Sequence, residues 1–247
     1  MASVLILGAT YGIGKALANE LAKLHYDLIL AGRDANELGA QASDLAIRYE
    51  VTAEAFEFDA LSPSRHLTSS LAAVLEKHSS SLDIVILCVG YLGALERAEV
   101  DLEEARHVLD ANFTGCVCAL QVVARHFAAR RRGVICAVSS VAGDRGRQSN
   151  YIYCAAKGGF SVYLQGLRNR LHHDGVQVIT VKPGFVDTAM TYGKPGLFLV
   201  SSPQAVAQGI LKAIRKKKDV AYVPGFWRGI MLAVRLIPEP VFKRMRL

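Results

Sequence analysis

The 247 residues contain no CxxC pair, no HExxH or comparable ligand spacing, no internal repeat and no low-complexity tract. The five cysteines, at 88, 116, 118, 136 and 154, therefore offer no paired metal knuckle and no disulfide framework. Four of them sit in apolar runs, as structural thiols do in a reducing compartment. Cys116 and Cys118 in TGCVCALQVV read as packing residues. No metal site is expected, and the adjacent His172 and His173 point in different directions on a helix. The lack of repeats excludes a solenoid, and a composition that is 51% hydrophobic and 21% charged excludes disorder. The opening MASVLILGATYGIG has neither a basic leader nor a long apolar run, so it is expected to enter a strand at once rather than act as a signal peptide. Near the other end, the apolar run over residues 229–234 falls far short of the ~20 residues that span a bilayer, and Arg235, Pro238 and Pro240 break up the sequence after it.

What is present alternates. Strand-sized β-rich runs recur as SVLILG, YDLILAG, AEAFEFD, LDIVILCVG, GVICAVSS, VQVITVKPG and VAYVPG. Between most of them lie Ala/Leu-rich segments with helical spacing, among them the long stretch from Leu102 to Arg131. A β-α-β-α alternation of this length implies one α/β unit, with a parallel sheet of about seven strands covered by helices on both faces. Ligands of such sheets bind beyond the carboxyl ends of the strands.

The first of those ends reads GATYGIG, with Gly8, Gly12 and Gly14 around Thr10, Tyr11 and Ile13. Glycines there allow a tight strand-to-helix turn and bring backbone N–H groups close to a pyrophosphate at a helix N-terminus. An ordinary glycine turn is the alternative. The second strand ends LILAGRD, where an NAD site places an acid for the ribose 2′-OH. Here stand Gly32 and then Arg33, a pairing that suits a 2′-phosphate and favours NADP(H) over NAD(H). The alternative is a solvated Arg33 beside an Asp34 that caps the next helix. Further on, SNYIYCAAKGGF places Tyr153 and Lys157 four apart on one helix face, with Tyr151 off that register. An ammonium beside a phenol favours the phenolate and would bring Tyr153 toward general acid/base work; a chance surface pair is the bland reading.

With the glycine turn, the Tyr153/Lys157 pair and VSSVAG at 138–143, the chain resembles the short-chain dehydrogenase/reductase family over most of its length, to about Thr188. The resemblance implies a single-domain Rossmann fold, doubly wound, and an NAD(P)-dependent oxidoreductase. It also implies roles residue by residue. Ser140, thirteen residues before Tyr153, would hydrogen-bond the substrate carbonyl, and Asn112 in LDANFTG would hold a helix kink and a proton-relaying water. Asp59, with Ala60 after it, would lie near the adenine. Pro183, Gly184, Val186 and Thr188 of KPGFVDT would meet the nicotinamide, and Lys157 would hold its ribose. Two positions depart from the family pattern: its opening threonine is Leu7, and its NNAG segment is LCVG, keeping only Gly90. Tyr151 would form a wall of the substrate pocket. A non-catalytic dinucleotide sensor would need none of Ser140, Tyr153 and Lys157.

The chain is expected to divide into a body over residues 1–224, with a substrate lid at about 188–201, and a basic amphipathic tail over 225–247. From Lys212 onward ten Lys/Arg face only Asp219 and Glu239, so the basic character belongs to the end of the chain. The run RKKK closes an amphipathic helix without aromatic interleaving, which points to a solvated helix end and away from nucleic acid. Trp227, Phe226 and Phe242 among cations suit either an anionic membrane surface or packing against another subunit, since the family commonly forms homodimers or homotetramers. VGYLG and the ending RLIPEPVFKRMRL resemble a subgroup that includes keto reductases acting on decaprenylphosphoryl pentose. That likeness implies a lipid-linked keto sugar as substrate, a flavin oxidase as partner, and a cytoplasmic protein peripheral to the inner face of a membrane.

Overall fold

The computed structural model describes residues 2–62, 64–193 and 196–245. Seven strands form one parallel sheet: β1 (Ser3–Leu7), β2 (Asp27–Gly32), β3 (Ala53–Glu57), β4 (Leu82–Leu87), β5 (Gly133–Val138), β6 (Val176–Pro183) and β7 (Val220–Val223). Their order is β3-β2-β1-β4-β5-β6-β7, so the chain reverses direction across the sheet between β1 and β4. The helices are α1 (Gly12–Ala22), α2 (Ala35–Tyr49), α3 (Ser64–Lys77), α4 (Leu95–Ala98), α5 (Leu102–Leu109), α6 (Gly115–Arg130), α7 (Tyr151–His172), α8 (Pro203–Arg215), α9 (Trp227–Leu236) and α10 (Glu239–Phe242). This is the doubly wound Rossmann arrangement that the β-α alternation implied.

Strand periodicity sends alternate side chains to opposite faces. Val4 and Ile6 of β1 enter a core with Leu17 and Leu21 of α1, Leu38 and Leu45 of α2, and Val206 and Ile210 of α8. Leu5 and Leu7 enter a second core with Leu67 and Leu71 of α3, Leu120 and Phe127 of α6, and Phe160 and Leu164 of α7. Each such fully buried side chain contributes about 2 kcal/mol. The Leu7 departure is explained by this placement, because the position faces a wholly apolar layer. Cys116 and Cys136 are buried in the same layers, and burial pushes the Cys116 thiol up to about 11. All five cysteines are free thiols.

The stretch from Leu102 to Arg130 is one helical path broken by a π-turn at Asp110–Thr114. It is apolar and long enough to cross a bilayer on those grounds alone, but more than half of its most apolar window is buried inside the protein, where α6 packs on α3 and α7. Beyond β7 the chain folds back. Trp227 and Met231 of α9, each 3% exposed, pack with Val141 and the partly buried Phe185 and Tyr222 as a third, small core. Trp227 thus faces inward and is not among the residues open to a membrane; Phe226 remains half exposed. Of the expected tail, Arg246 and Leu247 lie outside the described residues.

Candidate active site

The glycine turn sits where the strand order reverses. Gly8 (φ +92°) and Gly12 (φ +54°) adopt left-handed backbone conformations that side chains disfavour. A Cβ on Gly8 would lie 3.1 Å from the backbone leaving β4, and one on Gly14 only 2.0 Å from the Gly8 carbonyl oxygen. Helix α1 then starts at Tyr11 with no side-chain cap and no acid in its first turn. The helices α2, α5 and α8, by contrast, are capped by Asp34, Asp101 and Ser202. The first N–H groups of α1 are thereby left to a ligand, and their positive end suits a diphosphate. Ile13 packs against the first core beneath them.

Beside this turn Thr10 is buried, and its hydroxyl lies 2.4 Å from where a Cβ on Gly32 would be. An acid at position 32 would collide with Thr10, which gives the missing carboxylate a steric cause. Arg33 next to it is exposed and makes no ion pair or hydrogen bond among the described residues. Asp34 accepts from the Glu37 amide at 3.0 Å, so the helix-cap reading of Asp34 holds. The Tyr11 hydroxyl donates to the other Asp34 oxygen at 3.4 Å. Asp59 follows β3, where one carboxylate oxygen accepts from the Leu61 amide at 3.0 Å. The neighbouring Ala60 carbonyl oxygen is 2.2 Å from where a Cβ on Gly115 would be, so only glycine lets α6 start there.

The LCVG segment is braced through a side chain that sequence reasoning assigned to a kink and a water. Asn112, fully buried in the π-turn, donates to the carbonyls of Tyr91 at 2.5 Å and Val108 at 2.8 Å, and accepts from the Tyr91 amide at 3.1 Å. All of its amide hydrogen-bonding groups are thus engaged by backbone. Tyr91, which no sequence signal singled out, anchors the same loop by donating to Glu104 at 2.8 Å. A Cβ on Gly90 would lie 3.5 Å from Asn112 Oδ1 and 3.7 Å from Lys157 Nζ, ordinary contact distances, so glycine here leaves open backbone beside the ammonium.

Ser140 ends β5 as the cap of a short 3₁₀ turn, Val141–Asp144, and its Oγ accepts from the Ala142 amide at 3.0 Å. Tyr153 and Lys157 come from the first two turns of α7. Burial pushes the Tyr153 phenol up to about 12, and a hydrogen bond with the Ser140 side chain opposes that rise. Burial also holds the Lys157 ammonium below the usual lysine range. The direction for Tyr153 is opposite to the one expected from the Tyr-Lys spacing. Lys157 Nζ lies 5.9 Å from the Tyr153 ring centroid and donates to the Val89 and Val138 carbonyls, each at 3.3 Å. Desolvation of the phenol outweighs a charge already engaged elsewhere.

Three residues missed from the sequence seat α7 on this turn. Ser139 Oγ donates to the Lys157 carbonyl at 3.1 Å and is 2.8 Å from Ser161 Oγ, while a Cβ on Gly143 would lie 2.6 Å from the Lys157 carbonyl group. Tyr151, expected to be a pocket wall, donates instead to Glu99 at 3.2 Å, off the Tyr153/Lys157 face. Pro183 closes β6, and the Gly184 amide donates to the Val223 carbonyl at 3.1 Å. The Trp227 indole lies on Gly184, with Nε1 1.9 Å from where a Cβ would be. Val186 is buried and pairs with Ser201, and Thr188 Cγ2 comes within 3.1 Å of the Cβ position of Gly12, so this segment closes back on the glycine turn. In the segment expected as a lid, Phe198 packs on Phe185 and Trp227 at 5.5 and 5.6 Å between ring centroids. Lys194 and Pro195 of that segment lie outside the described residues.

A family model described as short chain dehydrogenase matches residues 2–195. An uncharacterized oxidoreductase of Mycobacterium tuberculosis is 34% identical over 244 residues, which cover 99% of this chain and 97% of that protein. Another, from Streptomyces coelicolor, is 34% identical over 247 residues, with 98% and 95% covered. Among solved structures, a short-chain dehydrogenase from Sphingobium yanoikuyae in complex with NADPH is similar at a TM-score of 0.80 and 25% identity, covering 100% of this chain and 97% of that one. A short chain dehydrogenase from Burkholderia cenocepacia in complex with NADP has a TM-score of 0.82 at 20% identity, with 98% and 96% covered, a likeness of fold.

Proposed function

The chain belongs to the short-chain dehydrogenase family and is an NAD(P)-dependent oxidoreductase; on that premise we propose that it reduces a carbonyl with NADP(H), Tyr153 giving the proton. The observation that carries this reading is the meeting of Ser140, Tyr153 and Lys157 beside the uncapped end of α1. The residues fit a dinucleotide: free N–H donors for the diphosphate, an unpaired Arg33 for a 2′-phosphate, and open backbone at Gly90 beside Lys157. The reduced nicotinamide, when bound, supplies the hydride. Ser140 holds the carbonyl oxygen with its hydroxyl, polarising the C=O bond toward the incoming hydride. Tyr153 then transfers its O–H proton to that oxygen, so that one C–H and one O–H bond replace the π bond and a phenolate is left. Lys157 stabilises the phenolate by its charge, and holds the nicotinamide ribose as the family resemblance implies. Asn112 keeps the loop after β4 in place through Tyr91.

Asp59 and Ala60 are assigned to the adenine side, and Pro183, Gly184, Val186 and Thr188 to the nicotinamide side. Residues 188–201 act as a lid whose far end returns to the sheet through the Ser201 amide on the Phe185 carbonyl at 2.9 Å. The narrower substrate reading is the keto group of a lipid-linked sugar. Its support is the subgroup resemblance together with a tail surface where Leu232, Leu236 and Val241 are exposed among Arg228, Arg235, Lys243 and Arg244, as at an anionic membrane face. We place the protein in the cytoplasm, peripheral to such a membrane and as a homodimer or homotetramer, in keeping with its free thiols and its family. The decisive experiment screens ketones and keto sugars with NADPH and then compares Tyr153→Phe with the native protein. Turnover should fall by at least about a hundredfold, as for loss of a general acid, with NADPH binding retained. Near-native turnover in Tyr153→Phe would rule the assignment out.

A further inference from the structure

Next to the serine turn stand two adjacent charged residues that the reaction does not use. The Asp144 carboxylate, 2% exposed, pairs with Lys182 Nζ at the end of β6 and accepts from the Tyr222 hydroxyl of β7 at 2.8 Å. Arg145 faces the other way. Its guanidinium donates to the carbonyls of Val234 at 2.7 Å and Ile237 at 2.6 Å, and more weakly to that of Arg235 at 3.3 Å. It pairs with Glu239 at 2.9 Å and lies 3.7 Å over the Phe242 ring. One side chain thus caps the C-terminus of α9, where a cation also meets the negative end of the helix, and gathers α10 beneath it. At its other end α9 carries Trp227, which covers Gly184 and packs in the cluster that contains Val141, the residue after Ser140.

We propose that Arg145 is a positioning residue, and that through it the C-terminal helix α9 becomes part of the catalytic frame. Ser140 caps a single 3₁₀ turn whose last residue is Asp144. The turn is therefore held between β6 and β7 by Asp144 and against α9 by Arg145, and the same helix presses Gly184 from the other side. Loosening Arg145 frees α9, lets Val141 and Gly184 shift, and misplaces the Ser140 hydroxyl, while the α1 turn that holds the diphosphate is untouched. This inference rests on the reading of Ser140 as the group that holds the carbonyl.

The chain's single tryptophan is Trp227, which makes the helix visible by fluorescence. Full-length Arg145→Met and Arg145→Lys are compared with the native protein for NADPH dissociation constant, kcat and KM in ketone reduction, and tryptophan emission. In Arg145→Met the emission should shift to the red and kcat fall on the order of tenfold to a hundredfold, the cost of misplacing a catalytic group by about 1 Å, with the NADPH dissociation constant held. Lysine, which can still donate to the α9 carbonyls, should restore most of both signals. Native kcat in Arg145→Met overturns the proposal whatever the emission does. A lowered kcat with native emission, or a loss of NADPH binding alongside kcat that lysine does not repair, also overturns it. If the methionine variant does not fold, the lysine variant decides on the same readouts: emission and kcat lowered together, NADPH binding intact, uphold the proposal, and any other pattern overturns it. Ser140→Ala is measured in parallel. Its full activity would sink the proposed function, whereas its inactivity beside an unaffected Arg145→Met would sink only the role of Arg145.

Discussion

Tyr153 and Lys157 were legible as a pair because a helix repeats every 3.6 residues, but their electrostatics were not, because burial is a property of everything packed around them. A phenol held at about 12 is protonated throughout the neutral range. Reduction, which uses the protonated form, should therefore keep its rate across neutral pH. The reverse oxidation needs the phenolate and should speed up as pH rises toward that value. Initial rates in both directions from pH 6 to 10 check this, and an oxidation rate that falls with rising pH would contradict it. Arg33 was also legible, as a basic residue after an acid-free strand end, whereas the steric cause, Thr10 against Gly32, required the fold. Arg33→Ala should weaken NADPH binding by about tenfold or more, as for a charge-assisted hydrogen bond worth 1.5–3 kcal/mol, and leave NADH unchanged. Titration with both cofactors measures it, and equal losses for the two would count against a 2′-phosphate contact.

Elements were read well wherever their signal is local. The seven β-rich runs became the seven strands, because a strand buried on both faces must be apolar along its length. The stretch ending near Arg131 was read as one helix, and the π-turn at Asp110–Thr114 inside it was hidden, since it arises from Asn112 clamping the backbone of a loop 21 residues away. The seating of α7 was hidden for the same reason: nothing in VSSVAG marks Gly143 as the point where two backbones touch. Gly143→Ala places a methyl 2.6 Å from the Lys157 carbonyl group and should cost about 1–3 kcal/mol along with activity. Gly146→Ala, three residues on, meets nothing within 4 Å and should be close to neutral. Thermal unfolding of the two variants gives the comparison, and equal stability would mean that α7 is free to adjust.

For the molecule as a whole, composition located the charge but not the path of the chain that carries it. Ten cations after residue 211 suggested an appendage, yet Arg145 meets Val234 across 89 positions in sequence, a separation that no local pattern reveals. Trp227 and Met231 are part of a core, so cutting the chain at Pro224 would remove packing as well as charge. The membrane reading is better tested on the outward face, where Leu236 is 72% exposed and Arg235, Lys243 and Arg244 surround it. A full-length variant with Arg235, Lys243 and Arg244 all changed to Glu should lose sedimentation with anionic vesicles at low salt and keep its thermal stability. Each surface cation contributes about 1 kcal/mol there, and salt should weaken the native protein's binding in the same assay. Vesicle binding that ignores both the charges and the salt would leave subunit packing as the use of this face.

The Arg145 contact also fixes an order of events during synthesis. A chain made from its N-terminus completes the glycine turn, five strands and the Tyr153 helix before residues 234–239 exist, since domains form as the chain emerges at about 5–20 residues per second. The nascent protein thus has the parts of a cofactor site before it has a finished serine turn. A late nonsense codon, or a protease that trims only the end, would leave a molecule that takes up the dinucleotide but turns over nothing.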